Sequence, residues 1–309
     1  MNIFLAIIAL LSIIVYIVLN ISIYFKRKVA MKRITNLLFL IITVSFFSFS
    51  CVSTQSTVDP TKTLESKQEL MRLNRKYFFF AHKGISSLYP ENTMSAFKEA
   101  ARLGCKGIEL DLQQTYDGVL VISHSPSTWG GTNSFGDFKD CTFAEVQKMK
   151  IIEGSQNLSK PEHFPSLEEY CQWAKNTNII TNIEIKSYDF YYKDIEKKAV
   201  KIVQKYGLED RVIFSSGNPF SLWLIRNYSK KVKTGYIDKG SIKGAIQLCG
   251  QLGITACHTG DNVSQETINL CHENGVEVNA FTENGKEVWE RLFKMGVDSV
   301  TTDFYYALD

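Results

Sequence analysis

The segment Gly107-Ile108-Glu109-Leu110-Asp111-Leu112 alternates carboxylates with branched apolar side chains. A period of two reads as a β-strand, with Glu109 and Asp111 on one face and Ile108, Leu110 and Leu112 on the other. If the strand lies on a solvated sheet, the carboxylates simply face water. If it lies in a closed barrel, they share the interior, where two like charges repel unless protons or a cation intervene. The barrel case therefore predicts a hard metal ion with oxygen ligands.

The surrounding sequence supports the barrel. From Tyr77 onward, short β-branched or aromatic runs alternate with helical patterns, as in βα units on a parallel sheet. The runs are Tyr77 to His82, Gly107 to Leu112, Thr181 to Lys186, Val212 to Ser215, Lys233 to Tyr236, Ile254 to Cys257, Val276 to Phe281 and Ser299 to Thr302. Helical patterns include Thr93 to Leu103, Lys193 to Tyr206, Ser264 to Glu273 and Gly285 to Met295, with Ser264 and Asn284 as expected N-caps. Eight strands over residues 77–309 match a (β/α)8 TIM-type barrel of roughly 250 residues. A doubly wound open sheet would carry a Gly-rich phosphate turn after its first strand, whereas this strand ends in His82-Lys83-Gly84.

The interval between Leu112 and Thr181 is too long for one helix and its loops. Val119 to His124 reads as a strand returning from the Tyr116-Asp117-Gly118 turn. Residues 125–165, rich in Gly, Thr, Asn and Lys, form an insertion after the second core strand, with a helical stretch near Phe143 to Met149. An insertion at that end of the strands covers the barrel mouth.

The 309 residues are 45% hydrophobic, which suits a packed core. Five of the 35 Lys and Arg fall in the first 50 residues, which hold no acid, so 30 bases face 32 acids in the remainder. A basic nucleic-acid-binding domain is thereby disfavoured. The seven Cys show neither CxxC nor CxxxH spacing, against a zinc site or a disulfide framework.

The leader holds two apolar segments. Ile3 to Phe25, followed by Lys26, Arg27 and Lys28, fits a membrane span with a positive cytoplasmic flank, and residues 1–30 are either that span or a mis-assigned start. Residues 31–51 repeat the pattern of a signal: a charged start at Met31, Lys32 and Arg33, an apolar Leu37 to Phe47, and Ser48-Phe49-Ser50 before Cys51. That resembles a bacterial lipoprotein signal with Cys51 lipidated; a two-helix anchor is the alternative. Both place the domain outside the cytoplasm on a membrane anchor. Residues 52–76, with Ser, Thr and Gln up to Gln68, are the expected linker.

Histidine supplies the second chemical signal. His82 ends the first strand and His124 ends the returning strand, where barrel enzymes collect reactive groups. Two imidazoles titrating near neutrality can serve as general acid and general base. Of the other three, His163 and His272 read as surface residues, and His258 ends a strand, within reach of the mouth. Glu184 lies near the end of the third core strand and supplies a third carboxylate. Lys186, two residues on, shares its face; Lys186 and Lys83 offer positive charge to an anionic substrate, or are solvated surface lysines.

The ordered motifs His82-Lys83-Gly84, Pro90-Glu91-Asn92-Thr93, Ala96-Phe97, Gly107 to Asp111, Asp117-Gly118 and His124 resemble the glycerophosphodiester phosphodiesterases. Phe164 to Glu169, Ile183 to Lys186, Gly296-Val297-Asp298 and Thr302-Asp303 extend the likeness over about residues 77 to 305. The resemblance implies a (β/α)8 barrel in which Glu109, Asp111 and Glu184 bind one divalent cation, Ca2+ or Mg2+. It implies His82 and His124 as acid and base, and a small-molecule glycerophosphodiester cleaved to an alcohol and glycerol 3-phosphate.

Three positions depart from the family pattern. Lys83 stands for Arg and loses bidentate phosphate contact, and Ser125 stands for the Asp that follows the second His. Phe281-Thr282-Glu283-Asn284 replaces Trp-Thr-Val-Asn, keeping an aromatic at Phe281 for the substrate site while adding an acid. The departures leave two alternatives beside the hydrolase: phospholipase D-like action on lysolipids or sphingolipids, and a non-catalytic binding lipoprotein.

Overall fold

The computed structural model describes residues 68–69, 71–128, 132–134, 136–152, 160–187, 191–238, 246 and 249–303. The two apolar leader segments, Cys51 and residues 52–67 lie outside them. Residues 71–76, expected as the end of the linker, are helical instead, and Leu73 enters the core while Asn74 Nδ2 donates to the Leu103 carbonyl at 3.1 Å.

The chain continues as β1 (Phe79–Ala81), α1 (Met94–Arg102), β2 (Gly107–Gln114), β3 (Leu120–Ile122), α2 (Phe143–Val146), α3 (Leu167–Ala174), β4 (Ile180–Ile185) and α4 (Ile195–Lys205). It then runs through β5 (Val212–Ser216), α5 (Pro219–Tyr228), β6 (Lys233–Ile237), β7 (Ala256–Thr259), α6 (Gln265–Glu273), β8 (Glu277–Ala280), α7 (Lys286–Met295) and β9 (Ser299–Thr302). Strands β1, β2, β4, β5, β6, β7, β8 and β9 pair in parallel in that order, and β9 returns to β1, closing the ring. This is the expected (β/α)8 barrel. β3 adds to β2 in antiparallel register, Leu112 opposite Ile122, as the hairpin at Asp117-Gly118 requires.

Alternation along the strands separates two environments. Ile108, Leu110, Leu112, Ile183, Ile185, Phe214, Val278 and Val300 are fully buried in the core between barrel and helices. Glu109, Asp111, Asn182, Ser215, His258, Asn279 and Thr301 are buried on the opposite parity, inside the ring. Aromatic packing secures the closure: Phe79 of β1 meets Trp289 and Phe293 of α7 at ring separations of 5.0 and 5.4 Å.

Side-chain caps explain where most helices start. Thr93, Ser166 and Ser264 accept hydrogen bonds from Ala96, Glu169 and Thr267 amides, and Asn218 does the same for Phe220 ahead of Pro219. Asn284 does not cap α7 as its sequence position suggests. Gly285 stands at the cap, and Asn284 is engaged by Thr302 and Asp303 instead.

The described part of residues 125–165 packs on an apolar cluster of its own. Val121, Phe138, Val146, Met149, Ile151 and Phe164 make a separate apolar cluster, and antiparallel bridges join Ser127 to Asp137, Thr132 to Ile151, and Ile151 to Glu162. A Thr142–Glu145 capping box starts α2, which is shorter than the expected Phe143 to Met149.

His258 lies buried inside the barrel at 3% exposure. Its ring occupies the space that a side chain at Gly235 would need, since a Cβ there would stand 2.4 Å from Nε2. Burial pushes its pKa down from 6.5 to about 4. A neutral buried imidazole stabilises the fold fully above pH 6.5, and that contribution is lost as pH falls from there through about 4. Urea unfolding at pH 7 and pH 4.5 is expected to show wild type losing about 2 kcal/mol more than His258→Gln; equal losses would remove this account.

Candidate active site

The mouth end of β2 and β4 presents Glu109, Asp111 and Glu184, each with a carboxylate oxygen within 4.8 Å of the others. β2 and β4 pair with Asp111 opposite Glu184, so barrel register brings the third acid to the first two. Asp111 is 1% exposed, and Glu109 is buried as well. Burial and then the Asp111 carboxylate push Glu109 up to about 8. Burial acts on Asp111 in the same sense, but the Lys186 ammonium, His124 and the Asn92 hydrogen bond outweigh it and hold Asp111 below its ordinary value. Three oxygen ligands with an unresolved excess of negative charge are the donor set of a hard divalent cation, so the residues fit one.

Local backbone geometry aims positive groups at this cluster. Lys83 adopts a left-handed conformation, φ 56°, and its amide donates to Glu109 Oε2 at 3.0 Å. Asn92, φ 58°, donates from Nδ2 to Asp111 Oδ2 at 2.9 Å and accepts from the Asp111 amide at 3.3 Å. The segment Pro90 to Thr93 thus caps α1 with Thr93 and supports Asp111 with Asn92. Lys186 Nζ lies 3.0 Å from Asp111 Oδ1 and 2.9 Å from Glu184 Oε1. The Lys83 ammonium instead meets Glu91 at 2.8 Å, at the edge of the site.

The two histidines flank the acids and are held differently. His82 Nδ1 is 2.7 Å from Asp303 Oδ1, while Nε2 faces the cluster, 3.9 Å from Glu109 Oε2. The carboxylate partner assigns the proton to Nδ1. Asp303 is fixed in turn by Ser86 Oγ at 3.3 Å and Asn284 Nδ2 at 2.7 Å, and its amide donates to Asn284 Oδ1 at 2.9 Å. Burial lowers the His82 pKa, but the Asp303 hydrogen bond and the Glu109 charge overcome it, and the net shift is upward.

His124 follows β3 and is exposed at the cleft. Its carbonyl accepts from Gln113 Nε2 at 3.0 Å, and Gln113 accepts from the Tyr192 hydroxyl at 2.6 Å. Its ring has no hydrogen-bond partner among the described residues. Partial desolvation lowers its pKa against the Asp111 charge, with Lys186 and Lys83 adding to the fall.

His124 opens onto a cavity of about 340 Å³ between the loop after β1 and the insertion, whose Thr128, Ile151 and Phe164 form the far wall. Tyr89, Glu91 and Asn92 form the near wall. Phe281, half-buried, follows β8 on the same parity as Asn279, with its amide bonded to the Thr259 carbonyl at 2.8 Å. The fold thus brings His82, His124, Glu109, Asp111, Glu184 and Lys186 to one mouth.

Sequence reading did not assign roles to Asn92, Asp303, Gln113 or Tyr192. Asn92 and Asp303 stood inside quoted motifs, but only the fold reveals which side chain each one holds.

Residues 82–306 match the Glycerophosphoryl diester phosphodiesterase family. The chain belongs to that family. A glycerophosphodiester phosphodiesterase of Caldanaerobacter subterraneus subsp. tengcongensis is 35% identical over 229 residues, 74% of this chain and 94% of that protein. One from Bacillus altitudinis is 30% identical over 229 residues, 73% of this chain and 94% of that protein. Among solved structures, an Oleispira antarctica phosphodiesterase in complex with its product sn-glycerol-3-phosphate superposes with a TM-score of 0.66 at 22% identity, covering 74% of this chain and 94% of that one. As a glycerophosphoryl diester phosphodiesterase family member the chain is an enzyme, a phosphoric diester hydrolase, and its acidic cluster could bind a metal.

The hydrogen bond to Asp303 carries a direct expectation. Asp303→Asn should lower the His82 pKa, read by NMR titration of the imidazole, and reduce diester turnover about ten- to a hundredfold, as loss of an outer partner does. An unmoved titration would show that Asp303 does not govern this ring.

Proposed function

We propose that the chain hydrolyses glycerophosphodiesters to an alcohol and glycerol 3-phosphate with the aid of one divalent cation, Ca2+ or Mg2+. The observation that carries this reading is the set of three carboxylates within 4.8 Å, flanked by two differently held imidazoles. Glu109, Asp111 and Glu184 would hold the cation, which supplies charge neutralisation for the phosphoryl oxygens when bound. Lys186 adds an ammonium beside the same oxygens, Lys83 lies at the edge of the site, and Phe281 offers an aromatic face to the substrate.

The two imidazoles divide the proton work. His82, raised by Asp303, keeps its proton near neutrality and gives it from Nε2 to the leaving alkoxide. His124, lowered and untethered, is neutral and takes the proton of the nucleophile. That nucleophile is a water, or the substrate's own glycerol hydroxyl acting through a cyclic phosphate. The cavity beside His124 gives the diester a place between the loop after β1 and the insertion.

The same reading places the domain on the exported face of a cell membrane, tethered by Ile3 to Phe25 or by a lipid on Cys51. This part is supported by the leader sequence alone. Loss of membrane sedimentation in Cys51→Ala would select the lipid anchor, and unchanged sedimentation the helical one.

Release of glycerol 3-phosphate from a panel of glycerophosphodiesters tests the activity. Wild type with Ca2+ or Mg2+ should be active, while chelator, His82→Ala and His124→Ala should each reduce the rate by about 10²- to 10⁴-fold. Activity that survives both chelator and His124→Ala would overturn the mechanism. The pH profile of kcat/KM should be bell-shaped, with its acid limb set by His124 below 6.5 and its alkaline limb by His82 above 6.5.

A further inference from the structure

Lys186 places an ammonium where a cation is expected. Its Nζ is 3.0 Å from Asp111 and 2.9 Å from Glu184, and the residue is 4% exposed. Lys83, by contrast, reaches Glu109 through its backbone amide and sends Nζ to Glu91. Two of the three carboxylates that would bind a divalent ion therefore share one ammonium supplied from within the chain.

We propose that Lys186 is a built-in counter-ion that occupies the Asp111 and Glu184 carboxylates until a divalent cation takes them, and so weakens and tunes cation binding. The inference rests on the cation reading above. Its physical basis is simple. An ammonium and a divalent ion are both drawn to these carboxylates, so the cation competes with Lys186 for Asp111 Oδ1 and Glu184 Oε1. Once bound, it still has a positive neighbour at close range in a buried site, where Coulomb repulsion is poorly screened. Without Lys186, the buried Asp111 and the partly buried Glu184 carboxylates lose an ion-pair partner, which destabilises the cation-free fold.

The opposite role is equally concrete. A lysine that merely orients the two carboxylates would strengthen cation binding, and its removal would weaken it. The sign of the effect on affinity therefore separates the two.

The test is calorimetric titration of Ca2+ into the full-length chain, as wild type, Lys186→Met and Lys186→Gln, with thermal unfolding in chelator and in saturating Ca2+. Both variants are expected to bind Ca2+ about tenfold or more tightly than wild type. Both should melt lower in chelator, and both should gain more on adding Ca2+. Lys186→Gln keeps a hydrogen-bond donor of similar reach, and gives the affinity if Lys186→Met fails to fold without the ion. Equal or weaker Ca2+ affinity in the variants overturns the counter-ion role while leaving the cation site standing. Absence of Ca2+ and Mg2+ uptake by wild type and both variants removes the cation reading, and this inference with it.

Discussion

Repulsion among three carboxylates shut inside a closed ring organises the mouth of this barrel. β2 and β4 cannot avoid the problem, because their register sets Asp111 directly opposite Glu184 and their alternation puts Glu109 one step below. Each surrounding device answers that charge. A left-handed residue turns an amide toward Glu109, an asparagine clasps Asp111 from two sides, and a lysine bridges Asp111 to Glu184. Even so burial and the Asp111 charge favour the protonated form of Glu109, so the cluster retains an appetite for positive charge.

The histidines illustrate how two identical side chains acquire opposite tendencies. His82 is locked to a carboxylate that is itself fixed by two further side chains, and its charged form is favoured. His124 hangs from a backbone carbonyl steadied by Gln113 and Tyr192, with its ring at liberty, and its neutral form is favoured. Pairs of titratable groups pushed apart by their surroundings are what acid–base chemistry near neutrality requires.

Much of this was legible in the sequence. The eight strands, the returning hairpin and the wall-forming insertion follow from periodicity, spacing and turn residues, all of which are local. The three acids and His82 and His124 could be placed by strand parity and strand ends. What escaped was non-local. Asn284 looked like a helix cap because its neighbours are helical, yet Thr302 and Asp303, adjacent only after the ring closes, engage it first. Residues 71–76 lay in a stretch assigned to the linker, but Leu73 finds a hydrophobic site that no local pattern announces. His258 ended a strand as His82 and His124 do, and only the glycine on the neighbouring strand shows that its ring turns into the barrel interior.

The seam between β1 and β9 joins the beginning of the barrel to its end, with Phe79 opposite Val300 and His82 bonded to Asp303 across 221 positions of sequence. The imidazole that follows the first strand is thus held by a carboxylate just beyond the last. A chain still emerging from the ribosome has Glu109, Asp111 and Glu184 long before it has Asp303. The His82–Asp303 contact is therefore withheld until β9 has been made and the ring has closed, so the state of that imidazole reports whether the barrel's two ends have met.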